Sequence, residues 1–310
     1  MSPSLTTNKK AIIALALAIG GWSLSPIFIR YLREAYDPYT QSGVRYIGSI
    51  LFLIPYSYIV YRKELLKAFL SPIPTFLLSL INVFMQSLWT IGIYYSTASL
   101  GQILVKIQIP IVSILSFIVF QEERNIIKSW RFIVGSLLAL AGSILLVYEP
   151  SIVSVLPKIY LATICLFLSA LLWGVYSVYG KHTVANELHP VPMFAVISIY
   201  TTIGLFVLGF LIGEPQKLIQ APTETHTIAV FSGIIPIAIA HSAFHYAQKY
   251  LGSAFTNTML TLTPLTTHGL ALIIWRDEAL TLIQWTGTII LLTGCMLVVW
   301  ARSNNSINSH

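Results

Sequence analysis

The stretches GSLLALAGSILLV at residues 135–147 and GTIILLTGCMLVV at residues 287–299 share one pattern of small and apolar residues. In each stretch two glycines stand seven residues apart, and a leucine and a valine follow the second glycine at equal distances. Seven residues are about two turns of an α-helix, so both glycines of a stretch lie on one helix face. Small residues on one face let helix backbones approach closely in a bilayer, and we predict a packing role for them.

Further matching residues stand half a chain length apart. Trp22 precedes Arg30 by as many residues as Trp173 precedes Lys181. The other pairs follow in the same order, namely Asp37-Pro38 with His189-Pro190, Gly101 and Pro110 with Gly252 and Pro264, and Glu122-Glu123 with Asp277-Glu278. These matches predict two repeats, at residues 1–150 and 151–310.

The composition is that of a membrane protein. Hydrophobic residues make up 56% of the 310 residues and charged residues only 9%, whereas about a quarter of a soluble domain is charged. Ten apolar runs approach the length of a membrane span, at residues 11–29, 42–60, 74–97, 101–120, 132–148, 157–180, 191–213, 226–248, 253–275 and 284–301. We predict an all-α integral membrane protein with ten transmembrane helices. Five spans per repeat is an odd number, so the second repeat is inverted relative to the first.

The Lys and Arg residues predict the orientation in the membrane. With the N-terminus in the cytoplasm, eleven of the 18 lie on the inner side and five on the outer side. Both termini are then cytoplasmic, in a bacterial-type plasma membrane, and the run after Lys9 and Lys10 is a retained helix rather than a signal peptide. Topology thus explains the net charge of +7, and we expect no nucleic-acid partner.

Two prolines and one lysine point to a central cavity. Pro110 and Pro264 should kink the fourth and ninth helices and free backbone carbonyls, which only protein or a wet cavity can satisfy. Lys106 lies one turn before Pro110, and an ammonium at this depth usually faces a cavity or a partner. It either meets a substrate carboxylate or phosphate, or extends to the outer interface.

Other polar and aromatic residues could complete this cavity. A small-ligand site combines aromatic walls with a few polar groups, and the candidates are Asn82, Gln86, Trp89, Trp22, Trp173, His241, His245, Asn257 and His268. Arg45 and Tyr94 are expected to serve as a gate or as interfacial residues, with Arg45 anchored by Asp37 or Glu34. Ordinary helix packing is the alternative for each of these residues.

Histidine residues could also bind a metal or couple transport to protons. His241 and His245 are spaced i, i+4, and with His268 they could form the metal centre of a membrane-embedded enzyme. Cys165 and Cys295 show no metal-ligand spacing and are predicted to be buried free thiols. Every Asp and Glu falls at the end of a run or in a loop, so coupling to protons would use histidine or lysine. Exchange for a counter-substrate is the alternative.

The ordered set of motifs resembles the EamA-type branch of the drug/metabolite transporter superfamily. The shared features are Trp22 to Arg30, Asp37-Pro38, Arg45 followed by an aromatic residue, the proline-to-acid pattern in both repeats and Gln284-Trp285-x-Gly287. The chain departs from the repeat between Glu123 and Gly135, which is longer than its counterpart. The resemblance implies ten helices in an inverted repeat, and export or exchange of small metabolites without a cofactor.

The expected function is therefore secondary transport of a small polar metabolite, for example an amino acid or an organic anion, by alternating access. The chain has no Walker-type phosphate loop, so ATP-driven pumping is not expected. A metal-dependent membrane enzyme and a non-transporting membrane protein are the alternatives.

Overall fold

A computed structural model describes residues 5–119, 129–147, 156–183, 188–251 and 259–307. Within these ranges the regular structure is helical. The α-helices are α1 (Leu5–Leu32), α2 (Pro38–Val60), α3 (Arg62–Phe69), α4 (Pro72–Tyr94), α5 (Ala98–Leu104), α6 (Gln108–Val119), α7 (Trp130–Val147), α8 (Ile159–Thr183), α9 (Pro190–Ile212), α10 (Pro215–Gln220), α11 (Thr223–Gly233), α12 (Ala240–Leu251), α13 (Thr263–Ile274) and α14 (Leu282–Ile307). Short 3₁₀ segments cover Val105–Ile107, Leu260–Leu262 and Arg276–Glu278, and a π-helical segment covers Ile234–Ile239.

The chain is a multi-pass membrane protein. Eight helical stretches among the described residues are long and apolar enough to cross a bilayer, at Lys9–Leu32, Pro38–Val60, Pro72–Tyr94, Ala98–Leu115, Ile159–Gly180, Pro190–Ile212, Thr223–Ala247 and Leu282–Ala301. Two shorter apolar helices, Trp130–Leu146 and Leu260–Ile274, fall in the fifth and ninth predicted runs. Many large apolar side chains on these helices are exposed, which fits a surface covered by lipid.

Equivalent residues begin α2 and α9. Asp37 caps α2 by accepting hydrogen bonds from the backbone N–H groups of Tyr39 (2.9 Å) and Thr40 (3.1 Å). His189 caps α9 by accepting from the Val191 N–H at 3.4 Å. A proline follows each cap at the first helical position, where its missing N–H is not needed.

The predicted breaks at Pro110 and Pro264 are confirmed by the 3₁₀ segments that precede them. Each proline lacks the N–H that would bond the carbonyl four residues earlier. The freed carbonyl of Lys106 accepts instead from the Cys295 thiol, with a sulfur–oxygen distance of 3.5 Å. The freed carbonyl of Leu260 accepts from the Thr263 hydroxyl at 2.8 Å. Hydrogen bonds from other protein groups therefore satisfy the carbonyls that both prolines leave free.

Two further prolines lie inside helical stretches. Pro26 lies inside α1 and frees the carbonyl of Trp22, which accepts from the Gln102 side chain at 3.5 Å. Pro236 lies within the π-helical segment that joins α11 to α12. π-Helical turns are rare and often occur at functional sites, and this one leads directly to His241.

The glycines at positions 135, 142, 287 and 294 pack α7 against α14. A Cβ atom added to Gly142 would lie 2.6 Å from the Gly287 carbonyl oxygen, and one added to Gly294 would lie 2.5 Å from that of Gly135. The predicted packing role is therefore confirmed. Since Gly135 faces Gly294 while Gly142 faces Gly287, the two helices run antiparallel.

Both cysteines are buried and unpaired, as predicted. Cys295 belongs to an apolar core formed chiefly by α5, α7, α8 and α14. A second large core joins α2, α4 and α9.

Candidate functional site

One face of the broken fourth span carries three polar side chains. Ser99, Gln102 and Lys106 are spaced i, i+3 and i+7, so they project from the same side of the helix. The Ser99 hydroxyl lies 3.0 Å from Nδ1 of His268 on α13. Gln102 contacts the Trp22 carbonyl on α1. Ser99 and Gln102 are therefore directed at the seam between α1 and α13, and we call the face that carries these two residues and Lys106 the α5 polar face.

A cluster of ion pairs lies beside the first residues of α5, where the α5 polar face begins. The Arg30 guanidinium donates to Glu278 and, at 2.6 Å, to Asp277. The Glu278 carboxylate also accepts from the backbone N–H groups of Ala98 (2.8 Å) and Ser99 (2.9 Å), which begin α5. Carboxylates are favoured at a helix N-terminus because its N–H groups lack helical partners. The ends of α1, α5 and α13 are thereby joined.

Glu278 is buried although it lies at the end of a helical segment. It falls at a helix end, as predicted for every acidic residue, yet it is only 1% exposed because α1 and α5 cover it. The Arg30 guanidinium lies 4.6 Å from the centroid of the Trp275 ring, close enough for a cation–π contact. A surface cavity lined by Arg30, Tyr31, Arg33, Glu34 and Trp275 lies beside the ion pair.

Lys106 is buried in the 3₁₀ segment, with 6% of its surface exposed. The predicted alternative that it extends to the membrane interface does not fit this burial. Within the described ranges its ammonium has neither an ion pair nor a hydrogen bond, although its carbonyl is bonded by Cys295. Its role as a substrate contact stays a prediction.

Aromatic rings from three helices surround His241. The Trp22 indole donates to Nδ1 of His241 at 3.3 Å, and the ring of Phe194 stacks on the imidazole at 4.8 Å between centroids. Trp173 lies 6.3 Å away between centroids. The same Nδ1 atom lies 2.8 Å from the Ile237 carbonyl oxygen in the π-helical segment. Trp22, Trp173 and His241, which were all candidates for one cavity, thus lie together in the structure.

The three predicted histidines do not form one centre. His245 contacts Phe244, with centroids 5.5 Å apart, on the helix that also carries His241. His268 instead contacts Ser99 and the Trp285 ring, with centroids 5.1 Å apart. No three His, Cys, Asp or Glu residues in the described part of the chain stand close enough to hold a metal. The geometry therefore does not favour a centre built from His241, His245 and His268.

The predicted third-helix residues separate into different environments. The Asn82 amide donates to the Tyr46 hydroxyl at 2.9 Å and to the Thr201 hydroxyl at 3.0 Å, which joins α4 to α2 and α9. Gln86 is half-buried, and half-buried Trp89 packs against the core that contains Cys295. Asn257 lies outside the described residues. The cavity role of these residues stays a prediction.

Arg45 is not the interfacial anchor that the sequence suggested. It is 1% exposed and donates to the hydroxyls of Ser25 (2.9 Å) and Ser232 (3.1 Å). The expected partners are engaged elsewhere, since Asp37 caps α2 and Glu34 pairs with Arg33 at 3.0 Å. The guanidinium is buried because α2 and α11 approach closely where Gly233 faces the Arg45 carbonyl.

Tyr94, the other predicted gate or interface residue, bridges two chain segments. Its hydroxyl accepts from the Gln41 amide at 3.0 Å and donates to the Tyr36 carbonyl at 3.0 Å. It therefore joins the end of α4 to α2 and to the loop that precedes α2.

Sequence reasoning missed Gln102, Phe194 and the ion pair between Arg30 and Glu278. Gln102 could have been found from its spacing, one turn before Lys106 on the same face. Phe194 resembles any core aromatic residue, and the pairing of Arg30 with Glu278 spans nearly the whole chain. No local pattern signals either of these contacts.

Comparison with known proteins agrees with this architecture. The model of the EamA-like transporter family matches residues 9–148 and again residues 160–300. The chain is 26% identical over 284 residues to an uncharacterized transporter of Haemophilus influenzae, covering 87% of this chain and 91% of that protein. It is 25% identical over 311 residues to the uncharacterized transporter YdfC of Bacillus subtilis, covering 97% and 95% of the two chains.

Two more distant similarities are consistent with these matches. A WAT1-related protein of Arabidopsis thaliana is 25% identical over 285 residues, covering 82% of this chain and 75% of that protein. A solved crystal structure superimposes with a TM-score of 0.65 over 96% of this chain and 99% of its own, at 15% identity, which supports the fold alone. The family model accounts for most of both halves, and the chain therefore belongs to the EamA-like transporter family.

Proposed function

We propose that the protein is a secondary transporter that exports or exchanges a small polar metabolite by alternating access. Its two inverted five-helix repeats, at residues 1–150 and 151–310, would move against each other about the α5 polar face and the aromatic residues around His241. Inverted repeats suit this mechanism because they supply two nearly equivalent conformations, one open to each side of the membrane.

The antiparallel packing of α7 on α14 carries the proposal. These are the last helices of the two repeats, and they meet through their equivalent glycines. A parallel duplication would place equivalent helices in the same direction, whereas an inverted one places them in opposite directions. The second helices, α2 and α9, also pack together, and the hydroxyls of Ser49 and Ser198 meet at 3.3 Å between them.

The remaining helix contacts support the same symmetry. α4 of the first repeat packs on α8, the first helix of the second repeat. The same contact is found with the roles of the two repeats swapped. There α12 packs on α1, and α12 belongs to the third span of the second repeat. Likewise α6 contacts α8 as α13 contacts α1. The two separate family matches, at 9–148 and 160–300, fit the same division.

The cluster of Arg30, Asp277 and Glu278 supports a gated pathway. Burying an ion pair costs hydration that the attraction between the charges roughly restores, so its net contribution to stability is small. Such a pair can therefore separate into water and re-form at modest cost. We propose that this end of the pathway is closed in the structure and opens when the ends of α1, α5 and α13 part.

The proposal is tested by flux into proteoliposomes. Purified protein should accelerate entry of at least one solute from a radiolabelled panel of amino acids, organic acids and nucleosides, in a saturable manner and above protein-free vesicles. Preloading with the unlabelled solute should increase uptake if the protein is an exchanger. Saturable flux through every variant that disrupts the α5 polar face would contradict the assigned pathway.

The topology is tested separately in a bacterial plasma membrane. Reporters fused to the two termini should both be active only in the cytoplasm, since two repeats of five spans return the chain to its starting side. Reporters on opposite sides of the membrane would refute the inverted repeat. A metal-dependent enzyme is not favoured, because the three histidines proposed for it contact different partners.

A further inference from the structure

We infer that the transported solute is a small organic anion, and that the Lys106 ammonium binds its carboxylate or an equivalent acidic group. This inference rests on the proposed transport function and narrows its substrate class. It predicts that the protein discriminates between an anion and a zwitterionic amino acid, whereas a general carrier of polar metabolites would accept both.

Lys106 is a buried cation without a protein counter-charge in the described part of the chain. Arg30 shows the contrasting case, since it is equally buried and bonds two carboxylates. An unpaired charge in a low-dielectric interior is costly and is usually paired, hydrated or used in function. A bound anion would provide the missing pair.

A second cation increases the positive charge of the interior. Arg45 is 1% exposed and donates hydrogen bonds to the uncharged hydroxyls of Ser25 and Ser232. The buried carboxylates are already engaged, since Asp37 caps α2 and Glu278 pairs with Arg30. Among the described residues of the membrane-spanning stretches, cations are therefore not balanced by carboxylates.

The position of Lys106 suits a ligand. Gln102 and Lys106 project from the same helix face, and Gln102 touches the backbone of Trp22. The Trp22 indole in turn contacts His241 and Phe244, with ring centroids 5.0 Å apart in each case. A carboxylate on Lys106 would thus have aromatic and amide groups one helix turn away, which suits an acid with an apolar or aromatic body.

The same charge balance disfavours other solutes. A cation would be repelled by both Lys106 and Arg45. A zwitterion needs an acceptor for its ammonium group, and the described interior offers no free carboxylate for that purpose. Selection against these solutes would arise from unmatched charge rather than from shape.

The test compares acids with their own amides. Purified protein is titrated with mono- and dicarboxylates, with the corresponding primary amides and with phenylalanine as a zwitterion, while tryptophan fluorescence is followed. We expect saturable binding of at least one acid and no saturable binding of its amide or of phenylalanine. Equal affinity for an acid and its amide, or no binding by any acid, would overturn the assignment.

Variants locate the binding group. Lys106→Gln should weaken acid binding about tenfold or more, because truncating one partner of a buried charge pair has large effects. Lys106→Arg should restore part of the affinity. Lys63→Gln is the matched control, since this lysine is exposed on α3 and its loss should change nothing. Unchanged affinity of Lys106→Gln for the acid would refute the role of Lys106. If Lys106→Gln folds poorly, the affinity of Lys106→Arg and the comparison of each acid with its amide decide the question.

Different results would refute the transport function and the anionic substrate class. If proteoliposomes take up a cation or a zwitterion and Lys106→Gln leaves that flux intact, transport stands and the anionic substrate class is wrong. If an acid binds through Lys106 but no solute crosses the bilayer, the binding site stands and the transport function fails.

Discussion

Arg30 and Glu278 form an ion pair across nearly the whole length of the chain, and their side chains are only 5% and 0% exposed. Glu278 simultaneously caps the first turn of α5, the helix that leads to Lys106. A single carboxylate therefore connects α1, α5 and α13, and the integrity of this contact should govern access to the α5 polar face from that end.

Arg30→Gln should open this end of the protein. Removing one member of a buried pair leaves an uncompensated charge, at a cost of about 3–5 kcal/mol, so the closed arrangement loses stability. We expect a cysteine introduced at buried Ala98, in a Cys165→Ser, Cys295→Ser background, to react faster with a membrane-impermeant maleimide when Arg30 is replaced. Arg33→Gln is the control, because Arg33 pairs with an exposed glutamate. Equal labelling in both variants would show that the ion pair does not close the pathway.

Gly142→Ala should destabilise the contact between α7 and α14. The added methyl group would lie 2.5 Å from the Leu291 nitrogen and 2.6 Å from the Gly287 oxygen, both backbone atoms that cannot rotate away. Overpacking of this kind costs about 1–3 kcal/mol, and the unfolding midpoint in detergent should fall. Gly269→Ala should leave the midpoint unchanged or raise it, since nothing lies within 4 Å of its added Cβ. A midpoint for Gly142→Ala equal to that of Gly269→Ala would contradict the close packing.

His241 should make transport depend on pH. The Trp22 N–H can bond Nδ1 only when that atom carries no proton, whereas the Ile237 carbonyl can bond it only when it does. Protonating the imidazole therefore releases Trp22 and loosens the link between α1 and α12. Flux should change once the pH is low enough to protonate His241, and His241→Gln should abolish that change.

His245→Gln is the control for this prediction. His245 lies one turn away on the same helix and contacts Phe244, whereas the Trp22 N–H bonds His241. If His245→Gln removes the pH dependence while His241→Gln preserves it, the competition at Nδ1 is not the cause.

Arg45→Lys should destabilise the fold despite conserving charge. The guanidinium reaches Ser25 and Ser232 from separate nitrogen atoms, which a single ammonium group cannot reproduce with the same geometry. Hydrogen bonds to a charged group contribute about 1.5–3 kcal/mol each, so thermal stability should fall clearly. The matched substitution Arg62→Lys lies at an exposed residue on α3 and should have little effect. A similar stability for both variants would restore the interfacial interpretation of Arg45.

Features with a local or periodic signal could be predicted from sequence. The glycines at 135, 142, 287 and 294 indicated close packing because their spacing places them on one helix face. Pro110 and Pro264 indicated helix breaks because proline always lacks the N–H group. The groups that satisfy those breaks were not predictable, since Cys295 lies in a distant helix.

The position of a charged residue along the chain did not predict whether it is buried. Arg45 lies one turn inside its helix and suggested an interfacial anchor, but the approach of α11 buries it completely. Glu278 lies at a helix end, and no local pattern indicates that Arg30 and the start of α5 enclose it. In both cases the decisive neighbour belongs to the opposite half of the chain.

The amino-acid sequence alone determined that the chain is helical and lies in a membrane, and it indicated the duplication of its halves. Those properties depend on composition and on residue spacing along one helix. Only the tertiary structure decided which helix faces meet, and therefore that Trp22 contacts His241 and that Arg30 closes on Glu278. These contacts depend on backbone approach between segments far apart in sequence, where lipid offers no competing hydrogen bonds.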